Sequence, residues 1–362
     1  MVRYRVCQFA GNIVTMGDTK YKIAIVGCGA ISERLHMPSL ARRDDCELVA
    51  LVDTNEARSR ALAQQFGVTH TFADHQALLN HDIDAAIIAA PNNLHASIST
   101  TLLNAGVHVL VEKPMAISAV ECNQMQAAAD DADKVLAVGH ILRFSQTARF
   151  AKWAVDSGVL GRIVSFDIRY GFVFSWPTAS DYFLRKELSG GGVLIDLGAH
   201  SIDLLLWWLG DVATFDYYDD NHGGVEADCL LEATLQSGAS GTVELSRTRD
   251  LRSTAIIRGE QAELEIGFAE NTVSLKFADG GMGIAGQAVL KDEALHTLQR
   301  TSDLVVAEHE DFFDAIKSSR PALVSGSEAS RCMQLIDACY AARRPLELPW
   351  AKVQTEPSWR AA

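Results

Sequence analysis

The chain has 362 residues, 48% apolar and 22% charged, which is the composition of a folded globular protein. At the usual ~100–200 residues per domain it has room for about two domains. Its formal net charge of −14 argues against a surface that tracks nucleic-acid phosphates or anionic lipid. Seven cysteines, an odd number with no CxxC pair, argue against a disulfide framework or zinc ribbon and point to reduced thiols in a cytoplasm. The apolar run "IDLLLWWLG" falls short of the ~18–20 residues of a membrane span.

The opening "MVRYRVCQFAGNIVTMGDTKYK" lacks a signal-peptide pattern, and residues 1–20 read as a loose tail or an upstream start. From residue 21, continuous β-rich runs alternate with helical stretches. The runs are 22–29, 46–53, 84–91, 108–114 and 134–140; the helices are 31–43, 55–66, 74–80, 93–105 and 118–131. Asn55 and Ser118 are suitable N-caps, and Gly67 and Gly106 suitable stops. Such alternation predicts a doubly wound parallel sheet over 21–141. A helix at 145–157 and a strand within 161–174 open a second region. Strands follow at 225–236, 241–249, 254–259, 262–267 and 272–277, then helices at 308–318 and 326–342. This predicts an α+β domain over 142–350, with 278–286 a flexible loop and 351–362 a tail.

The first strand runs into Gly27-x-Gly29-x-x-Ser32, with Ala30 and Ile31 between the last two, at the start of a helix. Glycines there permit a tight turn and close approach of backbone to a pyrophosphate at the positive helix end. The second strand ends in Asp53, an acid placed to bind the adenosine ribose diol. No arginine stands directly beside it, which favours NAD over NADP; Arg58 keeps NADP open.

The stretch "GGGVLIDLGAHSIDLLLWW", residues 190–208, reads as a buried helix carrying Asp196, His200 and Asp203 near one face. Charges in an apolar segment need partners. A structural hydrogen-bond cluster, a metal site and an acid–base pair facing a substrate all fit; no companion cluster supports the metal. The three glycines are expected to let the helix N-terminus approach substrate or cofactor.

Together "GCGAIS", "AAPNNLHASISTTLLNAGVHVLVEKP" and "GGGVLIDLGAHSIDLLLWWLG" resemble the glucose–fructose oxidoreductase / inositol dehydrogenase / MocA family over residues 21–348. The resemblance implies a Rossmann domain followed by a large open, mostly antiparallel sheet, through which members form dimers or tetramers. It implies NAD(P)-dependent interconversion of a secondary alcohol and a ketone on a sugar, sugar derivative or cyclitol. It assigns Lys113, Asp196 and His200 to catalysis, and places Pro91, Asn92 and His95 near the nicotinamide with Glu112 as a positioning residue. A lysine at a strand end can polarise the reacting oxygen. His200, with an ordinary pKa near ~6.5, is suited to proton transfer, with Asp196 orienting its ring. Arg143, Trp176, Tyr182, Arg185 and Lys186 are candidate substrate contacts; Asp203 is expected to be structural, accepting from backbone or from Arg143. Two alternatives remain: an NAD-using enzyme without net redox, such as a glycosidase, and a cofactor-binding regulator. No metal, nucleic acid or membrane is expected.

Overall fold

The computed structural model describes residues 20–174, 181–221, 224–268, 271–277, 284–287 and 301–347. Trp176, most of the N-terminal tail and the C-terminal tail lie outside these residues. The first sheet contains β1 (Tyr21–Val26), β2 (Cys46–Val52), β3 (His70–Phe72), β4 (Ala85–Ile88), β5 (His108–Glu112) and β6 (Leu136–Gly139). All pairs are parallel, in the order β3-β2-β1-β4-β5-β6. Helices cover both faces, so the central strands are largely apolar: Ile23, Ala24 and Ile25 are fully buried. Strand β3 has only three residues and no apolar run, which is why sequence reading passed over it.

A π-helical turn at Ser32–His36 leads into α1 (Met37–Leu40). It is followed by α2 (Glu56–Phe66), α3 (Asn92–Asn104), α4 (Ala119–Ala132) and α5 (Gln146–Asp156). Asn55 accepts from the Arg58 amide at 3.1 Å and Ser118 from the Glu121 amide at 3.3 Å, so both expected N-caps form. Gly67 closes α2 at φ 71°, as the stop signal required.

The second sheet is built from β7 (Ile163–Gly171), β8 (Val212–Asp219), β9 (Asp228–Leu235), β10 (Ser240–Ser246), β11 (Thr254–Gly259), β12 (Ala262–Gly267), β13 (Thr272–Phe277), β14 (Ile284–Gln287) and β15 (Arg344–Pro345). Their order is β14-β13-β12-β11-β7-β10-β9-β8-β15, with only the β7–β10 and β8–β15 pairs parallel. Of the expected flexible loop 278–286, residues 284–286 belong to β14 and pair with β13; the rest lies outside the described residues. The short helix α6 (Lys186–Ser189) precedes α7 (Val193–Leu209), which packs on β7, β9 and β10.

The stretch from Lys186 to Leu209 is long and apolar enough to cross a membrane by length and composition alone. Its apolar window is 78% buried inside the protein, as expected of a core helix. The last two helices, α8 (Thr301–Ser318) and α9 (Gly326–Ala341), return to the first sheet. Phe312 and Phe313 of α8 share a core with Ile23, Ile25 and Leu110.

The glycine run serves the fold, which corrects its expected role. Gly190 closes α6 at φ 86°. A Cβ on Gly191 would meet the Tyr340 hydroxyl at 2.0 Å, and one on Gly192 the Glu226 carbonyl oxygen at 1.9 Å. The Glu226 carboxylate accepts from the Gly192 and Leu194 amides at 2.9 and 3.0 Å, capping α7 from another segment. An anion at this helix end also suits the macrodipole. Replacing Gly192→Ala forces this contact apart and is expected to cost about 1–3 kcal/mol, measured by chemical denaturation. Unchanged stability would show that the backbone at Glu226 yields freely.

Candidate active site

Glycines at the end of β1 shape the nucleotide loop. Gly27 has φ 99°, and a Cβ there would meet the Ala89 carbonyl oxygen at 2.3 Å. A Cβ on Gly29 would meet nothing within 4 Å, so the loop faces open space where the pyrophosphate of a dinucleotide belongs. Ser32 donates to the Gly27 carbonyl at 2.6 Å and pins the turn. Ala30 and Ile31 lead into the helix, whose first amides have no intrahelical partners and suit an anion. Asp53 accepts from the Cys28 and Asn55 amides, both at 2.7 Å, which fixes its carboxylate at the strand end. Spare lone pairs remain for a ribose diol. Arg58 is engaged by Glu33 at 2.9 Å and by the Cys28 carbonyl, so its charge is already partnered. These residues fit a dinucleotide.

Lys113 follows β5, next to Pro114 across a cis peptide bond. Its Nζ donates to Asp196 Oδ1 at 2.8 Å and to the Asp196 carbonyl at 3.1 Å. The second carboxylate oxygen, Oδ2, accepts from Arg247 at 2.8 Å. Burial opposes ionisation of Asp196, but the charges of Lys113 and Arg247 outweigh it and hold its carboxyl well below the usual range. The expected Asp196–His200 orienting contact is therefore replaced by two cations from other elements.

His200, one helical turn on, leaves Nδ1 buried without a hydrogen-bond partner. Burial, then the Lys113 charge and His140, push its pKa well below 6.5, so the ring is neutral. His140 meets it edge to face with ring centroids 6.4 Å apart.

The remaining expected residues divide sharply. Asn92 is buried and donates to the Ser189 carbonyl at 2.9 Å, tying α3 to α6. Pro91 precedes it and is exposed. His95 is 1% exposed, with its nitrogens on the Pro114 and Ala90 carbonyls at 2.9 and 2.8 Å. Burial holds its pKa down, so the neutral ring donates to one carbonyl at a time. Through Pro114 it braces the Lys113 segment. Glu112 accepts from His36 at 2.9 Å. Tyr182 is half-buried, 3.5 Å from Asn92, and burial together with the Asp196 charge raises its pKa. Arg185 is exposed and paired with Glu187 at 2.9 Å, while exposed Lys186 sits 5.9 Å over the Tyr340 ring.

Arg143 corrects the sequence reading most clearly. It is 1% exposed and grips Asp203 with two hydrogen bonds, 2.8 and 2.7 Å, which removes it from any substrate. Asp203 is thereby explained. Asp196 and Asp203 serve different cations, so the Asp196/His200/Asp203 set does not gather as metal ligands. Trp208, buried, donates to the Ala148 carbonyl, and Trp207 lies under Arg143.

Arg247 escaped the sequence reading. It stands just past β10, stacks over Phe174 and Phe183, and is aimed at Asp196 by the sheet. Nothing local marks it, because its partner is 51 residues away in sequence.

Comparison with known proteins agrees with this architecture. Residues 21–140 match the model described as "Oxidoreductase family, NAD-binding Rossmann fold", and 148–265 match "GFO/IDH/MocA C-terminal domain". The chain belongs to the GFO/IDH/MocA family of NAD-binding oxidoreductases. It is 26% identical to myo-inositol 2-dehydrogenase of Thermotoga maritima over 90% of this chain and 96% of that protein. It is 34% identical to D-glucoside 3-dehydrogenase of Escherichia coli, over 54% of this chain and 56% of that protein. Levoglucosan dehydrogenase, solved in complex with NADH and levoglucosan, shares the fold at a TM-score of 0.80 and 22% identity, covering 89% of this chain and 97% of that one.

Removing Asp203 leaves the buried Arg143 charge with only the longer contact to the part-exposed Glu328, at 3.3 Å. Asp203→Ala is expected to destabilise by about 3–5 kcal/mol in chemical denaturation, and Arg143→Met/Asp203→Leu to recover much of that loss. A single variant as stable as the parent would show that the pair carries no fold energy.

Proposed function

We propose that this chain is an NAD-dependent dehydrogenase or reductase that interconverts a secondary alcohol and a ketone on a sugar, sugar derivative or cyclitol. The observation that carries the reading is the Lys113–Asp196 ion pair, with the neutral, half-buried ring of His200 one helical turn along α7. Bound NAD would supply the hydride acceptor, held by Gly27, Gly29, Ala30, Ile31 and Asp53. Lys113 Nζ donates to the reacting oxygen and stabilises its negative charge. The neutral His200 ring takes the hydroxyl proton during oxidation and returns it during reduction. Asp196 is a positioning residue: it holds Lys113, and Arg247 holds Asp196.

NAD is favoured over NADP because Asp53 repels a 2′-phosphate and Arg58 is occupied by Glu33. Tyr182 suits a sugar face, with an apolar ring and a polar tip. Exposed Val164, Phe172 and Val173 at β7 support a homodimer or tetramer through the second sheet. The six described cysteines, all free and buried, suit a cytoplasm.

A panel of polyols and keto-sugars with NAD(H) and NADP(H), read by NADH absorbance, tests the class. On the substrate it identifies, Lys113→Ala and His200→Ala should each lose at least ~10²-fold in kcat while still binding NADH by fluorescence titration. A His200→Ala enzyme with parental kcat removes His200 from the mechanism.

The depressed pKa of His200 gives a separate check. Because the Lys113 charge disfavours imidazolium, Lys113→Met should raise the His200 pKa toward 6.5. Histidine-labelled NMR titration reads this directly. A fall, or no change, would mean that Lys113 does not reach His200 electrostatically.

A further inference from the structure

Behind Glu112 lies a buried cluster that the proposed chemistry does not use: His36, Glu308 and His309, with potential ligand atoms all within 4.8 Å. Its composition resembles a metal site, but its geometry does not. His36 Nδ1 and His309 Nε2 are 3.0 Å apart, the ring centroids are 5.2 Å apart and the planes lie 20° from parallel. The rings therefore meet edge to edge, each nitrogen aimed at the other. Metal ligands instead aim their lone pairs at a common third point.

The outer nitrogens continue the line. His36 Nε2 is 2.9 Å from Glu112 Oε1, and His309 Nδ1 is 2.9 Å from Ser39 Oγ. A carboxylate only accepts, so His36 Nε2 carries a hydrogen. His309 is kept neutral by burial and has one hydrogen to share along the line. Glu308, 3% exposed with both oxygens unpartnered, is held in its neutral form by burial and by the Glu112 charge. A neutral Glu308 does not compete with Glu112 for His36.

The chain ends at the catalytic lysine. The other oxygen of Glu112, Oε2, accepts from the Lys113 amide at 3.2 Å, and a Cβ on Gly139 would come within 3.1 Å of it. Helix α8, the turn before α1, and the end of β5 are thus joined by one line of hydrogen bonds.

We propose that His36 and His309 are positioning residues for the reaction: the line Ser39–His309–His36–Glu112 fixes the carboxylate that sets the backbone of Lys113. This rests on the reading of Lys113 as the group that holds the reacting oxygen. Displacing such a group by about 1 Å costs up to ~10²-fold in rate.

His36→Ala is expected to lower kcat by about 10- to 100-fold, with NADH affinity unchanged. His36→Gln, which can still donate to Glu112, should recover most of the loss. Glu308→Gln, a neutral isostere, should retain parental kcat. In nitrogen-labelled histidine spectra, which need no substrate, His36 Nε2 should be the protonated nitrogen, and its signal should move in Glu112→Ala. An unprotonated His36 Nε2 overturns the proposal. So do equal losses in His36→Ala and His36→Gln, which would indicate packing alone. Inactivation by a chelator, with loss of stoichiometric metal and of activity in Glu308→Gln, overturns it in favour of a metal centre. If Lys113→Ala keeps its kcat, the functional reading fails; if Lys113→Ala is inactive and His36→Ala is not, only the positioning line fails.

Discussion

The contact of Lys113 with Asp196 spans the two halves of the molecule. One partner leaves the edge of the parallel sheet; the other stands on the helix that packs against the antiparallel sheet. A nearly buried carboxylate is costly unless its charge is matched, and here Lys113 and Arg247 match it from opposite sides at 2.8 Å each. The constraint runs both ways. Lys113 is held just past the C-terminal end of β5, the edge at which parallel sheets bind ligands, and α7 is held at a fixed depth against it. His200 inherits its position from that depth and its neutrality from burial and the neighbouring lysine.

Much of the remaining polar interior keeps this contact in register. Glu226 caps α7 where the helix has no capping side chain of its own, and Tyr340 from α9 donates to the same carboxylate at 2.7 Å. Arg143 and Asp203 join the segment after β6 to the middle of α7, and Arg143 also reaches Glu328 of α9 at 3.3 Å. Buried ion pairs of this kind add little net stability over apolar packing, but a wrong arrangement leaves charges unpaired. Here they act on geometry: α7 has few alternative depths at which Asp196, Asp203 and its N-terminal amides are all satisfied.

The fold was largely legible because its signals are local. Runs such as "KIAIVGCG" and "DAAIIAAP" announce strands buried on both faces, and β11, β12 and β13 fall at the expected residues. What escaped was short or unpatterned: three-residue β3, β8 with its mixed exposure, and β14 within an expected loop. For the candidate site, the positions of Lys113, Asp196 and His200 on a strand end and a helix face were readable from motif and period. Arg143 was read both as a substrate contact and as a partner of Asp203, because an arginine at a domain junction gives no local sign of whether it faces solvent or a buried acid; only the second reading holds. Arg247 and the His36–His309 line went unseen because each becomes meaningful only beside a partner far along the chain.

By itself, then, the sequence determined the elements, their order, the nucleotide loop and the residue types available for chemistry. These follow from period, turn chemistry and burial, which act over a few residues. The tertiary structure decided which charge meets which. Lys113 and Asp196 are 83 residues apart, Arg143 and Asp203 60, and His36 and His309 273. Pairing over such separations depends on how helices and sheets dock. Only that docking could show that the three glycines make room for Glu226 and Tyr340, and that Asp203 takes Arg143 rather than backbone as its partner.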